Sequence, residues 1–191
     1  KKFFPIEKLD DFGKPGSIFH EHPPKPGYIP GIEAATGSLG HGLSMGLGMA
    51  VASSFQEKAF RTYVLISDGE CNEGTIWEAA LMAATLKLSK LTVIVDFNKW
   101  QATGRSEEIM KLQPFAEKWL SFGWNVFEID GHNFKEIEQA LKKSKESKDK
   151  PNLIIANTIK GKGVSFMEDN NNWHYRTPNK EELKLALSEL K

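Results

Sequence analysis

Short apolar runs alternate with segments of helical pattern along most of this chain, and that alternation constrains the fold more than any other feature. Residues 62–67 (TYVLIS), 91–95 (LTVIV), 125–129 and 152–158 (NLIIANT) are of strand length and rich in β-branched or aromatic side chains. Between them the pattern predicts helices over 43–58, 75–86 and 115–122, the last ended by Gly123, and a further one from a cap at Asn133 to about residue 147. Asn179 with Glu182 three residues later resembles a capping box, opening a last helix to residue 190. Strands that are apolar nearly throughout, separated by helices, imply an α/β fold: a mostly parallel sheet with helices on both faces.

The rest of the chain fits one domain over residues 1–191. With 40% apolar and 26% charged residues, a chain of 191 residues can bury a substantial core. Residues 1–36 are punctuated by Pro5, Pro15, Pro23, Pro24, Pro26 and Pro30 and read as an extended segment packed on that domain. The opening residue is Lys1 rather than Met, so the sequence is expected to lack N-terminal residues of a longer polypeptide. Within the first helix Gly42, Gly46 and Ala50 form a small-residue stripe that lets a neighbouring element approach closely. Lys plus Arg balance Asp plus Glu at 25 each, so no global field draws the chain to nucleic acid or to an anionic membrane. No apolar run is long enough to span a bilayer, and the one cysteine, Cys71, favours a reducing, cytoplasmic setting.

In an open parallel sheet, ligands bind beyond the carboxyl ends of the strands. Two strand ends here carry hard oxygen donors: Ser67-Asp68-Gly69 after the first strand, and Asp96-Phe97-Asn98 after the second. A carboxylate and an amide oxygen suit magnesium, which prefers octahedral oxygen ligands and keeps phosphate oxygens in its shell. Gly69 permits a sharp turn, and the helix that follows offers amides to an anion. Taken alone, Asp68-Gly69 is an ordinary turn dipeptide; its pairing with Asn98 at a second strand end is what points to a site.

The wording around these residues resembles thiamine-diphosphate enzymes, whose signature is Gly-Asp-Gly, about thirty residues, then Asn-Asn. Here it stands as Ser67-Asp68-Gly69 through Phe97-Asn98, departing at the first Gly and the first Asn. Further words are similar to transketolases, especially two-subunit forms: Ala35 to Gly42 (ATGSLGHG), Asp68 to Gly74 (DGECNEG), Lys160 to Gly163 (KGKG) and Asn171 to Pro178 (NNWHYRTP). The match runs from about Ser17 to the end. Taken by itself, Lys160 to Gly163 is equally consistent with a plain basic turn.

The resemblance implies a thiamine-diphosphate-binding fold of the diphosphate-binding type. In it Asp68, the Asn98 side chain and the Trp100 carbonyl would hold Mg2+, for which Ca2+ or Mn2+ could substitute. Ser67, Gly69, Gly37 and Leu39 would approach thiamine diphosphate. Glu73 would couple paired active sites by relaying a proton, with an ordinary helix N-terminal Glu as the plain alternative. His22 and His174 would assist proton transfer around the diphosphate and the substrate carbonyl, with His20 as a competitor for the first role. Trp100, His41 and Ser67 replace the family's usual residues. The implied reaction is two-carbon ketol transfer between a ketose and an aldose, with sugar phosphates as the substrate class. A pyrimidine-binding C-terminal subunit or domain would be required as partner, in a dimer or heterotetramer. Other readings are a 1-deoxyxylulose-5-phosphate synthase-like enzyme, a 2-oxo-acid dehydrogenase component, or a regulatory binder that kept the fold.

Overall fold

The apolar runs become strands and the segments between them pack on the sheet. In the computed structural model, which describes residues 2–191, the elements are α1 (His41–Phe55), β1 (Thr62–Ser67), α2 (Gly74–Thr85), β2 (Leu91–Phe97), the hairpin strands β3 (Trp100–Gln101) and β4 (Gly104–Arg105), α3 (Ser106–Ile109), α4 (Phe115–Ser121), β5 (Asn125–Asp130), α5 (Phe134–Glu146), β6 (Asn152–Asn157) and α6 (Lys180–Glu189). Lys1, the first residue of the expected 1–36 segment, lies outside the described residues. The sheet order is β1-β2-β6-β5, every neighbouring pair parallel.

Alternate residues of each strand face opposite sides. Val64, Ile66, Val93, Val95, Leu153 and Ile155 join Leu43 and Leu47 of α1, Ile76 and Ala80 of α2, and Trp119 of α4 in the main core. Ile154 and Thr92 are buried outside that cluster, on the side where α5 packs over β5 and β6 with Ala140 and Ser144 buried. Helices therefore cover both faces, but unequally. On β1 Tyr63 and Leu65 stay 44% and 72% exposed. The expectation of a fully buried strand fails there because β1 is one edge of the sheet and α5 sits over the other.

Close packing begins at the small-residue stripe. A Cβ on Gly46 would stand 2.3 Å from Val64 Cγ2, so glycine is what lets α1 lie down on β1. Beside it, Trp77, Phe97, Phe115, Trp119, Phe122 and Trp124 form an aromatic cluster, with the Trp119 and Trp124 rings 4.9 Å apart and near-perpendicular. The Trp124 indole donates to the Ala80 carbonyl at 2.9 Å, and the Trp77 indole to the Cys71 carbonyl at 2.8 Å. Asn133 caps α5 through the amides of Lys135 and Glu136, and the Asn179–Glu182 capping box opens α6. Among residues 2–36 there is a 3-10 turn, Ile6–Asp11, and the segment is anchored by buried Phe19 and Ile29. No helix among the described residues is long and apolar enough to cross a membrane.

The strand register decides where chemistry can gather. Ser67 pairs with Asp96, Phe97 with Asn157, and Asp130 with Asn157. The carboxyl ends are therefore level, and Asp68, Asn98, Thr158 and Gly131 leave the sheet along one edge.

Candidate functional site

Asp68 follows β1 directly and is 0% exposed. The buried Ser106 hydroxyl, at the start of α3, donates to its Oδ2 at 2.7 Å. Its Oδ1 has no hydrogen-bond partner. Burial pushes the Asp68 carboxyl up from the ordinary carboxylate range; the Ser106 bond and the nearby amides of Gly69 and Lys99 pull it down, and Asp96 pushes it up again. The amides of Gly69 and Lys99 face the carboxylate without meeting Oδ1 in hydrogen-bond geometry.

Asn98 and Trp100 lie where β2 passes into the hairpin β3–β4, which the periodicity of the sequence did not reveal. Asn98 Oδ1 accepts the Trp100 amide at 2.9 Å, which turns the chain out of β2 and into β3. A Cβ on Gly69 would come within 2.9 Å of Gln101 Cγ, so the Asp68-Gly69 turn and the hairpin are packed face to face. Asp96 accepts the Thr158 hydroxyl, tying β2 to the end of β6. An open cleft of about 510 Å³ lies beside these strand ends, lined by Asp96, Asn98, His132, Thr158, Lys160 and Lys162 among others.

These residues fit a magnesium ion by one specific test. A buried carboxylate oxygen with no donor costs roughly 1–3 kcal/mol, and a hard cation is the partner such an oxygen lacks. Asn98 Oδ1 spends one lone pair on Trp100 and keeps the other. No group of three or more His, Cys, Asp or Glu among the described residues is placed to hold a metal. The donor set is one carboxylate with amide and carbonyl oxygens, which suits Mg2+ rather than a thiol- or imidazole-bound ion.

A second group of candidates is docked onto the first. Gly37 has φ of +128°, and a Cβ there would stand 2.1 Å from His22 Cδ2. The His22 ring thus rests on the backbone of the glycine loop, although both His22 and His20 are exposed. Leu39 is 56% exposed at the loop's tip. The loop is held from below by Glu70 and Thr75, to which the sequence reading gave no role: Gly40 donates its amide to Glu70 Oε1 at 2.8 Å, and Thr75 Oγ1 donates to the Gly40 carbonyl at 3.1 Å. Glu73 packs its stem against Gly40, while its carboxylate is exposed and makes no hydrogen bond among the described residues. Ser67 Oγ accepts the Glu70 amide at 3.0 Å.

His174 approaches from the far side. Its Nδ1 lies 3.3 Å from Lys160 Nζ, and burial followed by the Lys160 charge lowers its pKa. Lys160 lines the cleft with Asn98, so the histidine's neighbour and one candidate ligand face the same space. The 160–163 loop thus reaches His174 through Lys160, a contact that no spacing rule in the sequence connects. Cys71 is buried, and burial with the nearby Asp68 and Glu70 charges pushes its thiol far up, so it is inert as a nucleophile.

A level parallel-sheet edge that ends in a buried carboxylate, beside the Asn98 amide and a glycine loop, is the setting in which α/β domains of this kind bind ligands. Residues 3–190 match the family model described as "Transketolase, thiamine diphosphate binding domain". The chain belongs to that family. It is 42% identical over 190 residues to one of the apulose-4-phosphate transketolase subunits of Phocaeicola vulgatus, covering 100% of this chain and 67% of that protein. It is 43% identical to the 6-deoxy-6-sulfo-D-fructose transketolase subunit SqwG of a Clostridium species, covering 100% of this chain and 69% of that one. The transketolase structure from Campylobacter jejuni superposes with a TM-score of 0.88 at 29% identity, over 96% of this chain. The chain spans 30% of the length of that solved enzyme.

Proposed function

We propose that this chain is the diphosphate-binding subunit or section of a thiamine-diphosphate- and magnesium-dependent transketolase, moving a two-carbon ketol unit from a ketose to an aldose. The observation that carries this reading is the wholly buried Asp68, whose Oδ1 lacks a partner beside the Asn98–Trp100 hairpin. Bound thiamine diphosphate would supply a carbon nucleophile and an electron sink for the broken carbon–carbon bond.

The chain's own residues divide the remaining work. Asp68, Asn98 and the Trp100 carbonyl hold Mg2+; Ser67 and Gly69 let the backbone approach the diphosphate, and Gly37 and Leu39 approach the cofactor from the glycine loop. His174, its pKa lowered, is neutral at pH 7 and able to take a proton from a substrate hydroxyl. His22, seated on Gly37, holds a hydrogen bond to a substrate or phosphate oxygen. Glu73, exposed at the start of α2, faces a second subunit.

The names of the two relatives describe subunits, which supports a pyrimidine-binding partner chain and a dimer or heterotetramer. Both names also carry an anionic sugar group, phosphate or sulfo. With Lys160 and Lys162 at the cleft, this supports a ketose bearing an anionic terminus. The test is calorimetric titration of Mg2+ and thiamine diphosphate into the complete protein assembled with its partner. Asp68→Ala should abolish the magnesium-dependent binding; unchanged affinity refutes the assignment.

A further inference from the structure

The hairpin β3–β4 carries the proposed metal ligand Trp100, yet it is only two residues wide on each side and cannot be held by its own ladder. What holds it is Asp169, 69 positions from Trp100 in sequence. The Asp169 carboxylate accepts the Trp100 indole on Oδ1 at 2.8 Å. It also accepts both ends of the Arg105 guanidinium, at 2.8 Å on Oδ1 and 2.6 Å on Oδ2. The same guanidinium lies over the Trp100 ring, 3.7 Å from its centroid. Asn171 adds a bond from its Nδ2 to the Ala102 carbonyl at the hairpin tip, 3.1 Å.

Asp169 is also tied to the other wall of the cleft. Its backbone adopts φ of +54°, and its amide donates to the Lys160 carbonyl at 2.9 Å. Lys160 Nζ in turn stands 3.3 Å from His174 Nδ1. One residue therefore touches the metal-ligand hairpin with its side chain and the Lys160–His174 wall with its backbone.

Stability does not account for the arrangement. The Arg105 and Asp169 side chains are 34% and 54% exposed, and ion pairs this open add little to folding. Bidentate geometry combined with indole donation and stacking instead fixes direction, and that is what a carbonyl ligand needs. The Gly69–Gln101 packing and the Asn98–Trp100 bond seat the base of the hairpin, but a carbonyl ligand on strands this short also needs its direction set from outside.

We infer that Asp169, through Arg105 and Trp100, is a positioning residue that aims the Trp100 carbonyl at the metal and makes metal binding interdependent with the placement of Lys160 and His174. The inference deepens the proposed function and rests on it. Residues 161–169 thus act as a strap joining the ion to the imidazole side of the cleft.

The test uses the complete protein assembled with its partner, and reads the apparent affinity for Mg2+ at saturating thiamine diphosphate by calorimetry. Asp169→Ala should weaken that affinity about 10–100-fold, the range seen when residues that orient metal ligands are removed. The thermal midpoint of the cofactor-free protein should barely move. The imidazole resonances of His174 should shift in the cofactor-free state, because the Asp169 backbone amide that holds Lys160 is no longer fixed in place by the side chain. In a cycle of Arg105→Lys and Asp169→Asn, the double variant should be no weaker than the worse single variant, since both break one device. If wild type binds magnesium with the cofactor and Asp169→Ala stays within twofold of it, the positioning role is overturned. Fully additive losses in the cycle, or unmoved His174 resonances, overturn it as well. If wild type itself shows no magnesium-dependent cofactor binding, the proposed function falls, and this inference falls with it.

Discussion

Replacing Asp68 by Asn should stabilise the cofactor-free protein and at the same time remove its ability to be stabilised by the cofactor. The carboxylate is 0% exposed, one oxygen takes the Ser106 hydroxyl, and the other has no partner. The asparagine carbonyl can keep the Ser106 bond, while its amide nitrogen takes the place of the partnerless oxygen and gains no acceptor there, so what the substitution removes is the buried charge. Each unit by which burial raises a carboxyl's pKa costs the charged form about 1.4 kcal/mol. At about 2–4 °C per kcal/mol for a chain of this length, the midpoint should rise on the order of 5 °C.

The pH dependence follows from the direction of the shift. Burial raises the folded-state pKa of Asp68 above its unfolded value, so the folded protein binds the proton more tightly. Wild type then loses stability as pH rises from the ordinary carboxylate range through the raised value, and above it carries the whole cost. The gap between Asp68→Asn and wild type should be widest at pH 8 and close as pH falls through that window. Adding Mg2+ and thiamine diphosphate at about a hundred times Kd should stabilise the partnered wild type by roughly 2.7 kcal/mol and the variant not at all. Differential scanning fluorimetry across pH, with and without cofactor, measures both. A variant that melts lower than cofactor-free wild type at pH 8, or that gains as much from cofactor, refutes the reasoning.

Other perturbations read other parts of the site. Gly37→Ala drives a methyl into the His22 ring on a backbone with φ of +128°, and should weaken cofactor binding at least about tenfold by titration calorimetry, while circular dichroism stays unchanged. Glu70→Ala removes the acceptor for the Gly40 amide and should raise hydrogen exchange in residues 37–42, at a cost of about 1 kcal/mol in urea unfolding. Lys160→Ala should raise the His174 pKa in an NMR titration, since the Lys160 charge helps to depress it. Because the folded value is the lower one, the stability His174 contributes is present above the unfolded histidine pKa and is lost as pH falls through the folded value. Trp119→Ala, at a 0% exposed position, should cost about 3–5 kcal/mol and leave no cooperative transition near the wild-type midpoint.

What the sequence made legible was whatever depends on near neighbours. The run at 62–67 is β1 to the residue, because four of its six residues are β-branched or aromatic and an Asp-Gly turn follows it. The caps at Asn133 and Asn179 are legible for the same reason, a side chain bonding amides two or three residues on. The misses are all tertiary. The exposure of Tyr63 and Leu65 depends on β1 being an edge, which its own residues do not state. β2 runs on to Phe97 through a polar Asp96 because Thr158, from the end of β6, supplies that carboxylate with a partner. The hairpin 100–105 has strands too short for any periodicity, and Ser106 meets Asp68 across 38 positions.

The departures from the family wording are where local structure explains most. The first Asn of the usual pair is Phe97, and in β2 that position faces the core, 5.3 Å from the Phe115 ring, so an apolar residue there strengthens the strand end that delivers Asn98. Ser67 in place of Gly does not turn its hydroxyl loose in the site; it accepts the Glu70 amide and closes the turn that follows Asp68. His41 faces the Leu39 carbonyl through Nδ1 at 3.2 Å, a contact within its own loop. Trp100, where an aliphatic residue is usual, brings an indole donor that Asp169 accepts, with Arg105 sharing the same carboxylate. Each change is thus absorbed by a partner nearby, whereas Asp68 Oδ1 is the one carboxylate oxygen among the partnerless buried side-chain atoms of the described residues. An amide or hydroxyl left in that state can be reached by water, but a buried carboxylate oxygen beside a second strand end calls for a cation.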